Sequence, residues 1–217
     1  MWDFVDHVVY INLYRRSDRR EHMEKMTSSF GEKVVRFSAI EDSPGYIGCT
    51  KSHIGALKLA ISNNWKNVLI LEDDAVWNDF DNGYERLEKL TSNMYDTILL
   101  GGTFLEYDAN YRMTNGVSGV AYLVNNHYFQ TLLNNLEEGL ALFQKDIYNK
   151  EIYSLDRWWN QLQRRDNWYI VSPCLVYQLP SYSDIDNTMA DSRCLYEMNH
   201  SIHPVKSRLT FQNIFRK

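Results

Sequence analysis

The order of apolar segments constrains the fold of this chain more than any other feature of its sequence. Short apolar runs typical of buried strands lie at residues 8–13, 34–40, 68–71, 97–100 and 119–124. Segments with apolar residues at helical spacing separate most of these runs. Strands that alternate with helices in this way form βαβ units, whose strands run parallel and whose helices cover the sheet. The sequence therefore predicts an α/β fold with a mostly parallel central sheet flanked by helices.

Length and composition predict one domain. The chain has 217 residues, of which 44% are hydrophobic and 14% aromatic, and this is enough to bury one sizeable core. A helix around Trp158 and Trp159 and a strand over residues 169–177 follow the alternating part. Because no repeat, low-complexity tract or linker interrupts the sequence, we expect a single domain over residues 1–217.

Charge, hydropathy and cysteine content exclude several classes of protein. A formal net charge of −5 argues against a protein that holds nucleic acid by bulk electrostatics. No segment approaches the ~20 apolar residues that cross a bilayer, and the N-terminus is acidic where a secretory signal is basic. Cys49, Cys174 and Cys194 are odd in number and lack C-x-x-C spacing, which supports neither disulfides nor a zinc site. We therefore expect a cytoplasmic protein with no membrane span.

The most informative segment is the aliphatic run at residues 68–71, which ends in the carboxylates Glu72, Asp73 and Asp74. Open parallel sheets bind ligands at the carboxyl ends of their strands. Strand alternation places Glu72 and Asp74 on one face and Asp73 on the other. Crowded carboxylates repel each other unless a cation lies between them, and all-oxygen ligands favour Mg²⁺ or Mn²⁺ over zinc. The pattern predicts a metal site, the alternative being a strand end that caps the next helix.

Arginines follow the first predicted strand, namely Arg15, Arg16, Arg19 and Arg20. Guanidinium groups bind phosphate in a bidentate manner, and a helix capped by Ser17 would add backbone donors. The alternative is a solvated helix start in which Asp18 and Glu21 are the partners of the arginines.

Residues 45–53 are punctuated by glycine and run into a predicted helix that starts at Thr50 or Ser52. Such a turn could bring backbone amides, Ser52 and His53 close to a ligand. A lone histidine near a helix start is, however, more often structural.

Taken together, these segments resemble glycosyltransferase family 25, which includes bacterial lipooligosaccharide galactosyltransferases and procollagen galactosyltransferases. The family has an I-N-L strand end with R-R-x-D-R-R, then G-x-x-G-C-x-x-S-H-x-x-A-L, then an aliphatic strand that closes on E-D-D. All three occur here in order, at residues 11–20, 45–57 and 69–74. Weaker similarity is found at residues 119–123, 155–158, 178 and 183–185.

The resemblance implies a GT-A type fold, a Rossmann-like α/β domain in which carboxylates hold Mn²⁺ or Mg²⁺ against the diphosphate of the donor. It implies inverting transfer of a hexose, galactose or a related sugar, from a UDP-sugar to a hydroxyl acceptor on a glycan or protein. The nucleotide-binding part would cover about residues 1–105 and the acceptor-side part about 106–217.

The resemblance also implies roles for individual residues. Glu72 and Asp74 would be the metal ligands. The donor-binding residues would be Asn12, Leu13, Arg15, Arg16, Arg19, Ser52, His53 and Asp73. Asp156 would be the catalytic base that takes the proton of the acceptor hydroxyl, the alternative being an N-cap for the helix at Trp158. A histidine of the tail could complete the metal shell, as in some GT-A enzymes, the candidates being His200 and His203. Independently of the resemblance, aromatic rings that stack on sugars would suit an acceptor groove, although such residues are more often core; the candidates are Trp158, Trp159, Trp168 and Tyr169.

Two other functions remain open on the sequence. A sugar-nucleotide pyrophosphorylase has a glycine-rich loop after its first strand, where this chain has Tyr14 and arginines. A catalytically degenerate glycosyltransferase-like binding module would keep the fold without the chemistry, and donor hydrolysis or transfer would exclude it.

Overall fold

The computed structural model of the protein describes residues 2–78, 83–186 and 188–192. In this part of the chain the helices are α1 (Ser17–Met26), α2 (Gly45–Ser62), α3 (Gly83–Thr91), α4 (Phe129–Phe143), α5 (Lys150–Tyr153), α6 (Leu155–Trp158) and α7 (Asn160–Arg165). The strands are β1 (His7–Asn12), β2 (Val34–Ser38), β3 (Asn67–Glu72), β4 (Ala75–Trp77), β5 (Thr97–Tyr107), β6 (Met113–Asn125), β7 (Trp168–Ile170), β8 (Val176–Gln178), β9 (Ser181–Ser183) and β10 (Thr188–Ala190).

Six strands form the central sheet in the order β2-β1-β3-β6-β5-β7. β1 runs parallel to β2 and β3, and β5 runs parallel to β7, whereas β6 is antiparallel to both of its neighbours. The predicted α/β fold with a mostly parallel sheet flanked by helices is confirmed. β6 runs antiparallel because only residues 108–112 separate it from β5, and so short a connection can form only a hairpin.

The core lies on both faces of this sheet. Val68, Leu69, Ile70 and Leu71 of β3 are fully buried, as expected for a central strand that helices cover on each side. Each such aliphatic side chain contributes about 1.5–3 kcal/mol when it is buried. The rigid sheet that results fixes the position of every residue at its carboxyl edge.

The glycines of α2 do not form the predicted turn. The helix begins at Gly45 rather than at Thr50 or Ser52, and both Gly45 and Gly48 lie within it. A Cβ atom on Gly45 would lie 2.8 Å from the Cα of Ile185, and one on Gly48 would lie 2.6 Å from the backbone oxygen of Ile40. These glycines therefore allow two other segments to pack directly against the helix backbone.

Three other predicted boundaries are wrong. Helix α1 begins at Ser17 with Arg16 in the capping position, so that Ser17 is not its N-cap. β5 does not end at Gly101 and Gly102 but continues through them with irregular register to Tyr107. The strand predicted over residues 169–177 is split into β7 and β8, because Pro173 has no amide hydrogen to continue the ladder.

Candidate active site

The carboxyl ends of β1 and β3 lie side by side, with Ile11 in register with Glu72. The first half of α2 covers this edge of the sheet on one side, and residues 181–186, which we call the closing segment, cover it on another. Two cavities open here. Glu72 and Asp74 line both cavities and so form part of the wall between them, together with Gln178.

Asp73 is held entirely by protein groups. Its carboxylate accepts hydrogen bonds from Asn12 Nδ2 at 2.8 Å and from Arg19 Nη1 at 2.6 Å, and the residue is buried. Asp73 lines only the first cavity, whereas Glu72 and Asp74 also face the second. The three consecutive carboxylates therefore differ in environment, as strand alternation predicts.

Asp74 has a buried oxygen that lacks a partner. Its Oδ2 lies 3.3 Å from Arg19 Nη1, but its Oδ1 accepts no hydrogen bond among the described residues. Burial and the negative charge of Glu72 raise the pKa of Asp74 to about 7, and the charge of Arg19 and a side-chain hydrogen bond with Gln178 offset only part of this effect. An unpaired buried acceptor beside a second carboxylate is costly, and a divalent cation would satisfy it.

Glu72 faces both α2 and β8. Its Oε2 accepts a hydrogen bond from Gln178 Nε2 at 3.1 Å, and its Oε1 lies 3.6 Å from Nε2 of His53. The oxygens of Glu72 and Asp74 are hard ligands of the kind that Mg²⁺ and Mn²⁺ prefer, so that both residues fit the predicted metal.

The structure brings three of the predicted arginines to the site and leaves the fourth outside it. Arg15 and Arg16 bind the two oxygens of Asp184 at 2.7 and 2.6 Å, and Arg19 binds Asp73. Arg20 is exposed and pairs with Glu24 one turn along α1. The alternative of a solvated helix start is correct in part, because Arg16 also pairs with Asp18 at 2.8 Å and Arg20 is exposed, although the partner of Arg20 is Glu24 and not Glu21.

Ser52 and His53 lie inside α2, and both line the first cavity. Ser52 Oγ donates to the backbone oxygen of Gly48 at 2.7 Å and accepts from the amide of Ile40 at 2.8 Å. It thus fixes the loop before α2 to the helix. His53 is buried, and its Nδ1 lies 2.7 Å from the hydroxyl of Tyr122 on β6.

Asp156 lines the second cavity, as do Glu72 and Asp74. Its Oδ1 accepts from Ser154 Oγ at 2.9 Å, and its Oδ2 accepts from the amide of Ser118 at 3.0 Å. Ser154, not Asp156, occupies the N-cap position of α6, so that the N-cap alternative is wrong. The carboxylate joins α6 to β6 and still presents unused lone pairs to the cavity.

The late aromatic residues lie outside the linings of the two cavities. Trp159 and Trp168 are fully buried and pack against each other at a ring-centroid distance of 5.2 Å. Neither they nor Trp158 and Tyr169 are among the described residues that line the two cavities. His200 and His203, the predicted additional metal ligands, lie outside the described residues.

The closing segment is the part of the site that sequence reasoning missed. Besides Asp184, it contributes Ser181 Oγ and the backbone oxygen of Tyr182, which accept from Arg19 Nη2 at 2.7 and 3.0 Å. Its arginine partners are more than 160 residues away in the chain, and no local sequence pattern predicts such a contact. The one available signal was the weak family similarity at residues 183–185.

The sequence is similar to one family of known proteins. The family described as "Glycosyltransferase family 25 (LPS biosynthesis protein)" matches residues 43–157. Proteins of Drosophila melanogaster and Drosophila pseudoobscura pseudoobscura, both described as "Glycosyltransferase 25 family member", are 31% and 32% identical to the chain in the aligned region. That region covers 32% of this chain and 16% of each relative, so that the chain matches only about a sixth of their length.

A solved structure shares the fold. The crystal structure of a glycosyltransferase involved in the glycosylation of the major capsid of PBCV-1 superposes with a TM-score of 0.51 at 9% sequence identity. The superposition covers 90% of this chain and 98% of that one. Because the family match covers more than half of the sequence, the chain belongs to glycosyltransferase family 25.

Proposed function

We propose that this chain transfers a hexose, galactose or a related sugar, from a UDP-sugar to a hydroxyl of a glycan or protein, with inversion and with Mn²⁺ or Mg²⁺ as cofactor. One observation carries the proposal. Glu72 and Asp74 lie in the wall between two cavities, and one oxygen of Asp74 is buried without a partner. A cation held there would touch the donor diphosphate on one side while the acceptor entered from the other.

Glu72 and Asp74 are the residues that would hold the cation. When bound, it would neutralise the charge that grows on the leaving nucleoside diphosphate. Asp73 has a different role, because it is already paired with Asn12 and Arg19. It holds the first turn of α1 against the end of β3 and so fixes the positions of Asn12 and Arg19 at the site.

The first cavity suits the nucleotide, and we call it the donor cavity. Six of the predicted donor-binding residues line it, namely Leu13, Arg15, Arg19, Ser52, His53 and Asp73, and this supports the assignment. The second cavity, our acceptor cavity, contains residues 118–119 and 154–156. Within the single domain of residues 1–217, we assign the donor chiefly to residues 1–105 and the acceptor to 106–217, while the closing segment lines both cavities.

Asp184 would compete with the donor diphosphate for Arg15 and Arg16. Its carboxylate binds Arg15 and Arg16, the guanidinium groups that would otherwise meet a diphosphate. We expect Asp184→Asn to tighten UDP binding by up to about fivefold, because a partly exposed ion pair of at most about 1 kcal/mol no longer has to be broken. Calorimetric titration of UDP in the presence of Mn²⁺ measures the effect.

The matched control lies two residues further along the same segment. Asp186 pairs with Lys150 at 3.1 Å and with Tyr46, on the acceptor side, and its replacement by asparagine should leave UDP affinity unchanged. If Asp184→Asn instead weakens UDP binding, the carboxylate is part of the donor site and not its competitor.

Asp156 is our candidate for the base of an inverting displacement, since it lines the acceptor cavity together with Glu72 and Asp74. We expect Asp156→Asn to lower the transfer rate by about 10²–10⁴-fold while the dissociation constant of UDP stays the same. Steady-state transfer assays and UDP titrations measure the two quantities separately. Near-normal transfer by Asp156→Asn would show that Asp156 only joins α6 to β6.

The proposed function is tested by incubating the protein with a panel of UDP-sugars and Mn²⁺ and measuring the release of UDP. Release from one UDP-hexose that stops on addition of EDTA supports the proposal. Binding of UDP without any release, with or without hydroxyl acceptors, would instead identify a catalytically degenerate binding module.

A further inference from the structure

Three side chains with sulfur, nitrogen and oxygen atoms meet at one wall of the donor cavity. Cys49 and His53 lie one turn apart on the same face of α2, and Glu72 reaches them from the end of β3. The sulfur, an imidazole nitrogen and a carboxylate oxygen all lie within 4.8 Å of one another. No other group of three metal-ligating side chains among the described residues is spaced this closely.

We propose that Cys49, His53 and Glu72 form a binding site for a thiophilic divalent cation of the Zn²⁺ type. Thiolate and imidazole ligands select zinc over magnesium and manganese, so that this site differs in chemistry from the carboxylate pair of Glu72 and Asp74. Sequence spacing does not predict it, because the third ligand comes from a different element of the fold.

The arrangement is close to the geometry of tetrahedral zinc. Bonds of about 2.3 Å to sulfur and about 2.0–2.2 Å to nitrogen and oxygen place neighbouring ligand atoms about 3.3–3.6 Å apart. Nε2 of His53 and Oε1 of Glu72 already lie 3.6 Å apart. The sulfur of Cys49 has to approach them by no more than about 1.3 Å.

The surroundings of His53 support a ligand role. Its Nδ1 lies 2.7 Å from the hydroxyl of the fully buried Tyr122, which fixes the ring so that Nε2 faces Glu72. Metal-binding histidines characteristically have such a partner on the other ring nitrogen. Gly119 keeps the opposite wall clear, because a Cβ atom there would lie 3.3 Å from Oε1 of Glu72 and 3.4 Å from Cε1 of His53.

The two cation sites share Glu72, and this has a consequence for regulation. A zinc ion bound by Cys49 and His53 would withdraw Glu72 from the pair that it forms with Asp74. Zinc would therefore inhibit a transferase that works with manganese. That consequence rests on the proposed function, whereas cation binding itself does not.

The test uses Co²⁺ as a spectroscopic substitute for zinc in a Cys174→Ser/Cys194→Ser variant, in which Cys49 is the only thiol. We expect the near-ultraviolet absorption of a cobalt–thiolate bond, saturating at one ion per chain. Adding Cys49→Ser should abolish this absorption. In the variant that retains Cys49, bound Zn²⁺ should also slow alkylation of this thiol by at least about tenfold, a readout that does not depend on the folding of Cys49→Ser.

Further variants separate this site from the proposed catalytic one. Asp74→Asn should keep the cobalt–thiolate absorption, whereas His53→Ala should weaken cobalt binding by at least about tenfold. His127→Ala is the control, because His127 is half exposed and pairs with Asp96 away from the cavity. Absence of the absorption when Cys49 is the only thiol, or its persistence in Cys49→Ser, would overturn the proposal without bearing on sugar transfer.

Discussion

Replacement of Asp74 by asparagine is expected to lower the rate of sugar transfer by at least about a hundredfold. The variant keeps the size of the side chain but removes the charge that, with Glu72, would hold the cation against the donor diphosphate. The cation supplies several kcal/mol of stabilisation to the departing nucleotide, and each 1.4 kcal/mol corresponds to about tenfold in rate. UDP release at saturating UDP-sugar and Mn²⁺ measures the loss.

Asp108→Asn is the matched control for this experiment. Asp108 lies in the exposed turn between β5 and β6, where its Oδ1 accepts from the amides of Asn110 and Arg112. An asparagine oxygen can accept the same bonds, so that the rate should not change. If Asp74→Asn keeps more than about a tenth of the wild-type rate, Asp74 is not a ligand of a catalytic metal.

Asp74→Asn should also make the metal-free protein more stable to unfolding at alkaline pH. Folding raises the pKa of Asp74 from 3.8 to about 7 because the carboxyl is buried near Glu72. Between these two values the folded state binds a proton that the unfolded state releases, so that the free energy of unfolding falls as the pH rises from about 4 to about 7. Asp74→Asn removes this loss, and we expect it to raise the free energy of unfolding at pH 8 by up to about 4 kcal/mol.

Arg19→Ala is expected to lower the free energy of unfolding by about 3 kcal/mol or more. The Arg19 side chain is only 13% exposed, and it contacts Asp73 at 2.6 Å, Asp74 at 3.3 Å and the closing segment through Ser181 and Tyr182. Its removal leaves two largely buried carboxylates without their cationic partner. Urea unfolding monitored by circular dichroism measures the change.

The neighbouring residue on α1 provides the comparison. The Arg20 side chain is 53% exposed and pairs with Glu24 at 2.8 Å, so that Arg20→Ala should change the free energy of unfolding by no more than about 0.5 kcal/mol. Similar losses in the two variants would show that the contacts of Arg19 with Asp73 and Asp74 contribute no more to the free energy of unfolding than the exposed pair of Arg20 and Glu24.

Local patterns in the sequence predict the central strand of the site and the carboxylates at its end. The apolar run at residues 68–71 and the carboxylates that follow it identify a central strand and a cluster at its carboxyl end. Adjacent parallel strands then place Asn12 next to Asp73, because both follow buried strands that pair in register. The apolar run and its carboxylates depend on spacing within a few residues, and so the sequence alone contains them, whereas the contact of Asn12 with Asp73 depends on the pairing of β1 with β3.

The remaining features depend on contacts between distant segments. Nothing near Asp184 indicates that it binds Arg15 and Arg16, and nothing near Gly45 indicates that the backbone of Ile185 packs against it. Gly45 and Gly48 lie inside α2, and not in a turn, because the backbones of other segments pack directly against them. Among the described residues, no helix has the length and apolar character that crossing a bilayer requires.

The central claim, that Glu72 and Asp74 hold a metal against the diphosphate of a UDP-sugar, is tested most directly by calorimetric titration of UDP. Wild-type protein and Asp74→Asn are titrated in the presence of Mn²⁺ and again in EDTA. We predict binding by the wild type that requires Mn²⁺ and is lost in Asp74→Asn. UDP binding that is equally strong in EDTA, or unchanged in Asp74→Asn, would contradict the claim.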